Sequence, residues 1–415
     1  MKPQNKRCFF AQERQHIIAS PYKLIIRLIQ MMLAVVIMLS LGACQSVNAN
    51  AIPLQPISDA LANDTTIQLN LIAVGDNLIH GPIYRQARER TTDGSFDFRP
   101  AYQYMIPYLE QADLALINQE TPLGGTQLGL SSYPMFNSPQ ELGDQLIELG
   151  FNMISHANNH VLDARQQGFF NTIEFWRSRS LQKPVIMAGI AADESDDQLQ
   201  ILEVKNLKVA LLAYTYGTNG LKLPSSSSGI VKYINDDLMK QELAEVKAAA
   251  DIVIVSIHWG QEYQANANTE QKRIAQLLAD NGADIIIGSH PHVLQGVEML
   301  TVNASEQNSR QVPVFYSLGN FISAQNRPDT MLGGMAKIEM SYDLLDKSIS
   351  FKEIGVIPLV TDYTGSYKNI TVYPLSAYTP EQAKAHGVHR SYSNFSLEYL
   401  QKIFTERIPL EFQIY

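Results

Sequence analysis

Cysteine is nearly absent: the 415 residues contain two, Cys8 and Cys44. That count excludes a disulfide framework, and a mature chain starting near Cys44 would hold no thiolate nucleophile. Basic residues are also scarce, 32 Lys+Arg against 41 Asp+Glu, giving a formal net charge of −9. An acidic chain without a basic aromatic stripe repels nucleic acid, so that class of partner is excluded. Hydrophobic residues make up 45% of the chain, ordinary for a globular protein and too few for a multi-span membrane protein. No Gly-x-Ser-x-Gly elbow is present, so a covalent serine mechanism has no support. Ala73-Val74-Gly75-Asp76-Asn77 lacks the second and third glycines of a dinucleotide fingerprint. There is no internal repeat, and the serine run 225–228 reads as a surface loop.

What is present at the N-terminus is distinctive. Lys2, Lys6, Arg7, Arg14, Lys23 and Arg27 precede an apolar stretch from Leu28 to Ala43, with Glu13 as the one acid. The stretch ends in Leu41-Gly42-Ala43-Cys44, which resembles a bacterial lipobox. Residues 1–44 are therefore expected to be a lipoprotein signal peptide, with Cys44 lipidated and becoming the new N-terminus. An uncleaved anchor helix is the alternative. Sixteen residues rise roughly 24 Å as a helix, however, short of the roughly 30 Å hydrocarbon core. Removing residues 1–43 takes away six bases and one acid and leaves 26 against 40. Residues 45–66 then read as a tether between lipid and fold, placing the protein in the cell envelope outside the cytoplasm.

From Ile67 the pattern is strand, loop, helix, repeated, which argues for an α/β fold with buried strands. Strands are expected at 67–74, 114–118, 151–155, 185–189, 209–214, 252–257, 285–288 and 312–318. Helices are expected at 101–111, 140–149, 165–179, 238–250 and 270–281. One domain spans 67–330; after Met331, alternating short strands and two helical stretches suggest completion of a second sheet and a C-terminal cap.

The polar residues that stand out follow strand ends, where open α/β sheets place their ligands. Asp76 and His80 follow the first strand, and Asn118 and Glu120 the second. Asn158, Asn159 and His160 follow the third, with His156 read as structural; His258 closes an apolar run, with Glu262 beyond it. Ile285-Ile286-Ile287-Gly288-Ser289-His290-Pro291-His292 is the most pointed of these stretches. It sets two imidazoles one residue apart on a loop leaving a strand, and imidazole is the commonest metal ligand at neutral pH. Asn320 follows a further strand and glycine, whereas His386 and His389 lie in a polar segment and are expected to face solvent.

Asp76, His80, Glu120, Asn159, His258, His290 and His292 offer more oxygen and nitrogen ligands than one zinc site needs, and no sulfur. Such a set suits two divalent ions (manganese, zinc or iron) bridged by a carboxylate. Two ions about 3.5–4 Å apart can hold both oxygens of a displacement at phosphorus. His160 is the natural acid for the leaving group, and Asn118, Asn158, Glu262 and Asn320 are pocket candidates.

Six ordered stretches complete the pattern. They are Gly75-Asp76, Asn118-x-Glu120-x-Pro122, Asn158-Asn159-His160, His258-Trp259-Gly260-x-Glu262-Tyr263, Gly288-Ser289-His290-Pro291-His292 and Ser317-Leu318-Gly319-Asn320-Phe321. Together they resemble the motifs of the CapA family, bacterial capsule-synthesis proteins associated with poly-γ-glutamate. That family is similar in fold to calcineurin-like metallophosphoesterases, which implies a four-layer α/β/β/α sandwich with a small C-terminal extension. The resemblance implies one metal held by Asp76, His80, Glu120 and His292. It implies a second held by Glu120, Asn159, His258 and His290, with His160 as the acid. This chain departs from the phosphatases in placing Asp76 and His80 four apart and in using Asn118-x-Glu120 where they carry Gly-Asp. The expected function is a lipid-anchored, metal-dependent hydrolase acting in synthesis, export or attachment of an anionic polymer. A non-catalytic tether for a membrane polymer synthase and a surface phosphodiesterase or nucleotidase are the alternatives.

Overall fold

In the computed structural model of the protein, residues 65–303 and 309–415 are described; the signal segment, Cys44 and residues 45–64 of the tether lie outside them. Two sheets dominate these residues. In the first, β1 (Thr66–Asn77), β2 (Leu114–Asn118), β3 (Met153–Ser155) and β4 (Ile186–Ala188) run parallel. On its other side β1 pairs antiparallel with the strand Leu332–Asp343, Thr66 opposite Asp343. A small ladder joins β5 (Ile190–Ala191) to β8 (Ile230–Val231). The second sheet contains β6 (Gln200–Val204), β7 (Leu207–Thr215), β9 (Ile252–His258), β10 (Ile285–Ser289), β11 (Val297–Asn303) and β12 (Ser309–Phe315), in the order β11-β12-β10-β9-β7-β6. Its central strands β7, β9, β10 and β12 are parallel. The remaining strands are β13 (Asn320–Ile322), β14 (Leu332–Asp343), β15 (Ile349–Thr364) and β16 (Lys368–Pro374). Expected to complete a second sheet, β14 to β16 instead extend the first, whose order is β16-β15-β14-β1-β2-β3-β4 with β13 against the tip of β1. Their alternating pattern signals a half-covered sheet, but not which edge it joins.

Alternation also sets the layers. On the second sheet, Val209, Leu211, Ala213, Ile252, Ile254, Ile285 and Ile287 point into the main core with Leu71, Leu116 and Met335 of the first sheet. The residues between them, Ala210, Leu212, Val253, Val255 and Ile286, point the other way. There they meet Met239, Leu243, Ile274 and Leu278 of two helices, 236–249 and 269–280. Because successive strand side chains face opposite sides, strands buried on both faces must be apolar throughout, which is why these read as continuous hydrophobic runs. The outer face of the first sheet is covered by helices contributing Ile83, Leu142, Leu146 and Trp176. The result is the expected α/β/β/α sandwich.

The helices are α1 (Gly81–Glu89), α2 (Arg99–Tyr102), α3 (Ile106–Leu109), α4 (Glu141–Leu149), α5 (Arg165–Ser180), α6 (Asp236–Ala249), α7 (Thr269–Asp280), α8 (Pro380–Ala385) and α9 (Leu397–Arg407). The helix expected at 101–111 is split into α2 and α3 around a 3-10 turn, because Pro100 and Pro107 each open a new helix. Proline suits a first helical turn and cannot continue one. Helix α1 was not expected; Pro82 sits at its start and His80 is its N-cap residue.

Three histidines away from the rim bear on stability. His386, expected at the surface, is 1% exposed. Its Nδ1 accepts from the Val388 N–H at 2.9 Å, and its Nε2 donates to the Thr361 carbonyl at 3.0 Å. The polar sequence around it concealed that it satisfies backbone groups next to β15. His389 is half-buried against the Ala383 carbonyl. His156 is structural: it is fully buried, and its Nε2 accepts from Trp176 Nε1 at 2.7 Å. Burial depresses its pKa from 6.5 to about 3. The unfolded chain therefore binds a proton that the folded one refuses, so stability present above pH 6.5 is lost as pH falls toward 3. The loss from this one group is about 1.4 kcal/mol per pH unit. His156→Gln keeps an acceptor for Trp176 without the titration, and urea unfolding between pH 6.5 and roughly 4 should show a shallower decline than in the wild type. Equal slopes in the two proteins would refute this assignment.

Candidate metal centre

Parallel strands from both sheets end at one rim, and each delivers a site residue there. Asp76 stands opposite Asn118 across β1 and β2, and His258 opposite Ser289 across β9 and β10. The β1–β2 register slips between Val74 and Asp76, a bulge that re-aims the Asp76 side chain. The rim is drawn tight at two glycines. A Cβ on Gly75 would lie 1.9 Å from the Gly319 carbonyl oxygen, and one on Gly288 would lie 2.2 Å from that of Tyr316. The loop after Gly288 then turns twice through left-handed backbone, at His290 (φ 98°) and His292 (φ 59°), with Pro291 between. Left-handed backbone away from glycine costs on the order of 1–3 kcal/mol each. Here it swings both imidazoles inward.

At the centre stands Glu120, fully buried, with no hydrogen-bond partner for either carboxylate oxygen. Around its Oε1 are three imidazole Nε2 atoms: His258 at 3.8 Å, His292 at 3.9 Å and His160 at 4.0 Å. Each ring is held by its other nitrogen or by a neighbour. His292 Nδ1 lies 2.9 Å from Asp76 Oδ2 and 3.1 Å from Asn320 Oδ1. His258 Nδ1 lies 2.9 Å from Ser289 Oγ, and its Nε2 stands 3.0 Å from Asn159 Oδ1. Asn118 donates to Asp76 Oδ1 at 2.8 Å. Asn158 accepts from the His160 N–H at 3.1 Å and donates to the Gln119 carbonyl at 3.0 Å, bracing the third loop against the second. His290 is 3% exposed, its Nδ1 is unpartnered, and its ring lies 4.7 Å from that of His258.

The electrostatics follow from burial. Desolvation, with Asp76 nearby, pushes the Glu120 carboxyl well above the usual carboxylate range. Burial and the neighbouring His290 hold His258 well below the ordinary imidazole value, and burial with His292 and His160 lowers His290 to about 3. Both rings are thus neutral at physiological pH, the form that binds metal. His292 goes the other way: burial alone would lower it, but Glu120 and Asp76 raise it to about 9.

Among the described residues, ligand atoms of Asp76, Glu120 and His292 lie within 4.8 Å of one another. Asn159, His258, His290 and His160 complete the ring about Glu120. A buried carboxylate with both oxygens orphaned is costly unless something positive meets it. Orphaned carboxylate oxygens facing imidazole nitrogens fit a divalent cation. His80 borders this group: its Nδ1 accepts from the Ala324 N–H at 3.2 Å and lies 3.0 Å from the Leu78 carbonyl, and it lines a cavity with His160 and His292. The ring packs edge-on to Phe136, and Glu262 lines the same cavity.

Asp163 was not foreseen. Its Oδ2 lies 2.7 Å from His160 Nδ1 and accepts from the Phe136 N–H at 2.8 Å, so it holds the ring with Nε2 toward Glu120. Asn-His-x-x-Asp is visible in the sequence, but only the turn following β3 brings i and i+3 together. Tyr216 was also missed; on a loop after β7, its ring lies 4.5 Å from that of His290, tilted by 42°.

Two sheets back to back between helices, with Asp, Glu, Asn and His side chains gathered where parallel strands end, define an α/β/β/α protein with a candidate metal centre at its rim. Within that class the chain belongs to the bacterial capsule synthesis protein family PGA_cap, whose family model matches residues 70–325. It is 28% identical over 257 residues to the PGA biosynthesis protein CapA of Bacillus subtilis (strain 168), the match covering 61% of this chain and 62% of that one. It is 26% identical over 313 residues to the capsule biosynthesis protein CapA of Bacillus anthracis, covering 73% and 70%. The match thus spans less than two thirds of the first relative's length. A solved structure of a phosphatase from Mycoplasma pneumoniae aligns with a TM-score of 0.41 at 14% identity, covering 71% of this chain and 94% of that one.

Proposed function

We propose that the protein is a lipid-anchored accessory protein of capsule polymer synthesis, with poly-γ-glutamate as the polymer type, acting as a metal-dependent hydrolase in the cell envelope. The observation that carries the chemistry is Glu120, buried with both oxygens free in a ring of imidazoles. Family membership and the two CapA relatives support the polymer assignment. Lipid anchoring rests on the residues ending at Cys44.

Two divalent ions fit the donor set. Asp76, His80, His292 and Glu120 would hold one; Glu120, Asn159, His258 and His290 would hold the other. When bound, such ions supply Lewis acidity and an acidified water. The protein's own part is orientation and proton transfer. His160 Nε2 faces the centre, 4.0 Å from Glu120 Oε1, while Asp163 fixes the ring from behind. A proton on Nε2 is therefore aimed at a leaving atom seated over the centre. The buried walls keep bulk water from the reacting bond.

The test is metal content of residues 45–415 beside the His290→Ala/His292→Ala double variant. About two equivalents of manganese or zinc are expected in the wild type, lost in the variant. No stoichiometric metal in the wild type after reloading would sink the hydrolase reading and leave a tether for a membrane synthase.

A further inference from the structure

Beside the metal centre lies a cavity of about 350 Å³ that shares His160 and His292 with it and extends past Glu262 to Tyr133, Phe136 and Tyr263. No lysine or arginine lines this cavity. His80, His160 and His292 line it as well, but an anion seated at Glu262 would meet a like charge, which is disfavoured. Glu262 itself makes no ion pair among the described residues. It lines the cavity beside Tyr263, whose hydroxyl donates to it.

The rest of the wall suits a cation. Aromatic rings beside a carboxylate attract ammonium groups through their faces and through charge. This wall already does so on its outer side, where the Arg327 guanidinium sits 4.3 Å over the Tyr263 ring. The wall is also anchored to the centre. Gln325 links Tyr263 to Asn320, which donates to Gln325 Oε1 at 2.9 Å, and Asn320 Oδ1 lies 3.1 Å from His292 Nδ1. A ligand seated against Tyr263 is thereby held in a fixed relation to the metal ligands.

We propose that this cavity is the subsite for an ammonium group, with Glu262 as its counter-ion, so that the substrate carries an amine on the part lying beside the bond that is cut. Since His160 also lines the cavity, the amine belongs to the leaving portion. The inference rests on the hydrolase reading for its orientation, but selectivity for the amine is a property of the cavity. On this view the protein acts at an amine-bearing position of its substrate, and not within an uninterrupted stretch of anionic repeats.

The experiment is calorimetric titration of the manganese-loaded mature chain with 3-aminopropylphosphonate and with propylphosphonate, which differ only in the amine. The wild type should bind the amine about tenfold more tightly, as expected of a charge-assisted pair in a half-buried site. Glu262→Gln should bind both alike while keeping its metal content and melting temperature. Tyr263→Leu should narrow the preference without abolishing it. Equal binding of the two probes by the wild type would overturn the ammonium subsite and leave the metal centre standing. So would a preference that survives in Glu262→Gln. Absence of binding by either probe, with no metal in the protein, would remove the hydrolase reading and this inference together.

Discussion

Glu120→Gln should empty the centre of metal without unfolding the protein. The amide has the shape of the carboxylate but no charge. Glu120 alone faces the Nε2 atoms of His160, His258 and His292 at once, so it is the residue both ion positions share. The effect on stability should reverse between conditions. With metal at about 100 times its dissociation constant, the wild type gains roughly 2.7 kcal/mol that the variant lacks. In chelator the order changes, because the wild type then buries an uncompensated carboxylate beside Asp76. The folded carboxyl keeps its proton to higher pH than the unfolded one, whose value is 4.5. Stability of the chelated wild type from this group is therefore full below that value and lost as pH rises through the raised folded value. Glu120→Gln lacks that decline. Melting curves with and without manganese at two pH values, with metal content measured alongside, check all of this. A variant that holds as much metal as the wild type would remove Glu120 from the centre.

Glu120 is legible in the sequence because its strand announces itself. Leu114–Asn118 is buried at every position, and polar residues directly past a buried parallel strand have one place to go, the rim. The same logic locates Asp76, Asn159, His258, His290 and His292, which the structure brings around one point. It fails where direction and not position decides. Asp163 is easily passed over because a carboxylate three residues after a histidine has no fixed meaning until the turn between them is known. His386 was misplaced for a related reason: its neighbours are polar, yet the segment's buried backbone groups at Thr361 and Val388 need a partner, and the imidazole supplies both donor and acceptor. The edge joined by β14 was equally hidden, since an amphipathic strand fits either sheet and only its pairing from Thr66↔Asp343 to Val74↔Met335 decides.

His160→Ala should remove turnover and leave the metal. The ring is near the centre without being tied into it: its Nδ1 belongs to Asp163, and its Nε2 stands 4.0 Å from Glu120. Losing a positioned proton donor costs about 10²–10⁴-fold in kcat. Metal content should match the wild type, because the candidate ligands and the contacts that brace them are untouched. Asp163→Asn separates holding from reacting. It keeps the side chain's shape but offers the ring an amide, and a loss of about 10–100-fold is expected, typical of removing a group that orients a functional histidine. Both variants can be read with diphenyl phosphate, a diester whose phenolate is basic enough to need a proton as it leaves and which needs no knowledge of the natural substrate. If His160→Ala turned over this diester at the wild-type rate, another group would have to protonate the leaving atom. Glu262 is then the candidate, because it lines the same cavity within the electrostatic reach of Glu120 and His292. The double variant His160→Ala/Glu262→Gln distinguishes the two. With His160 as the donor, the second substitution adds little to a rate already lost; with Glu262 as the donor, it alone brings the rate down.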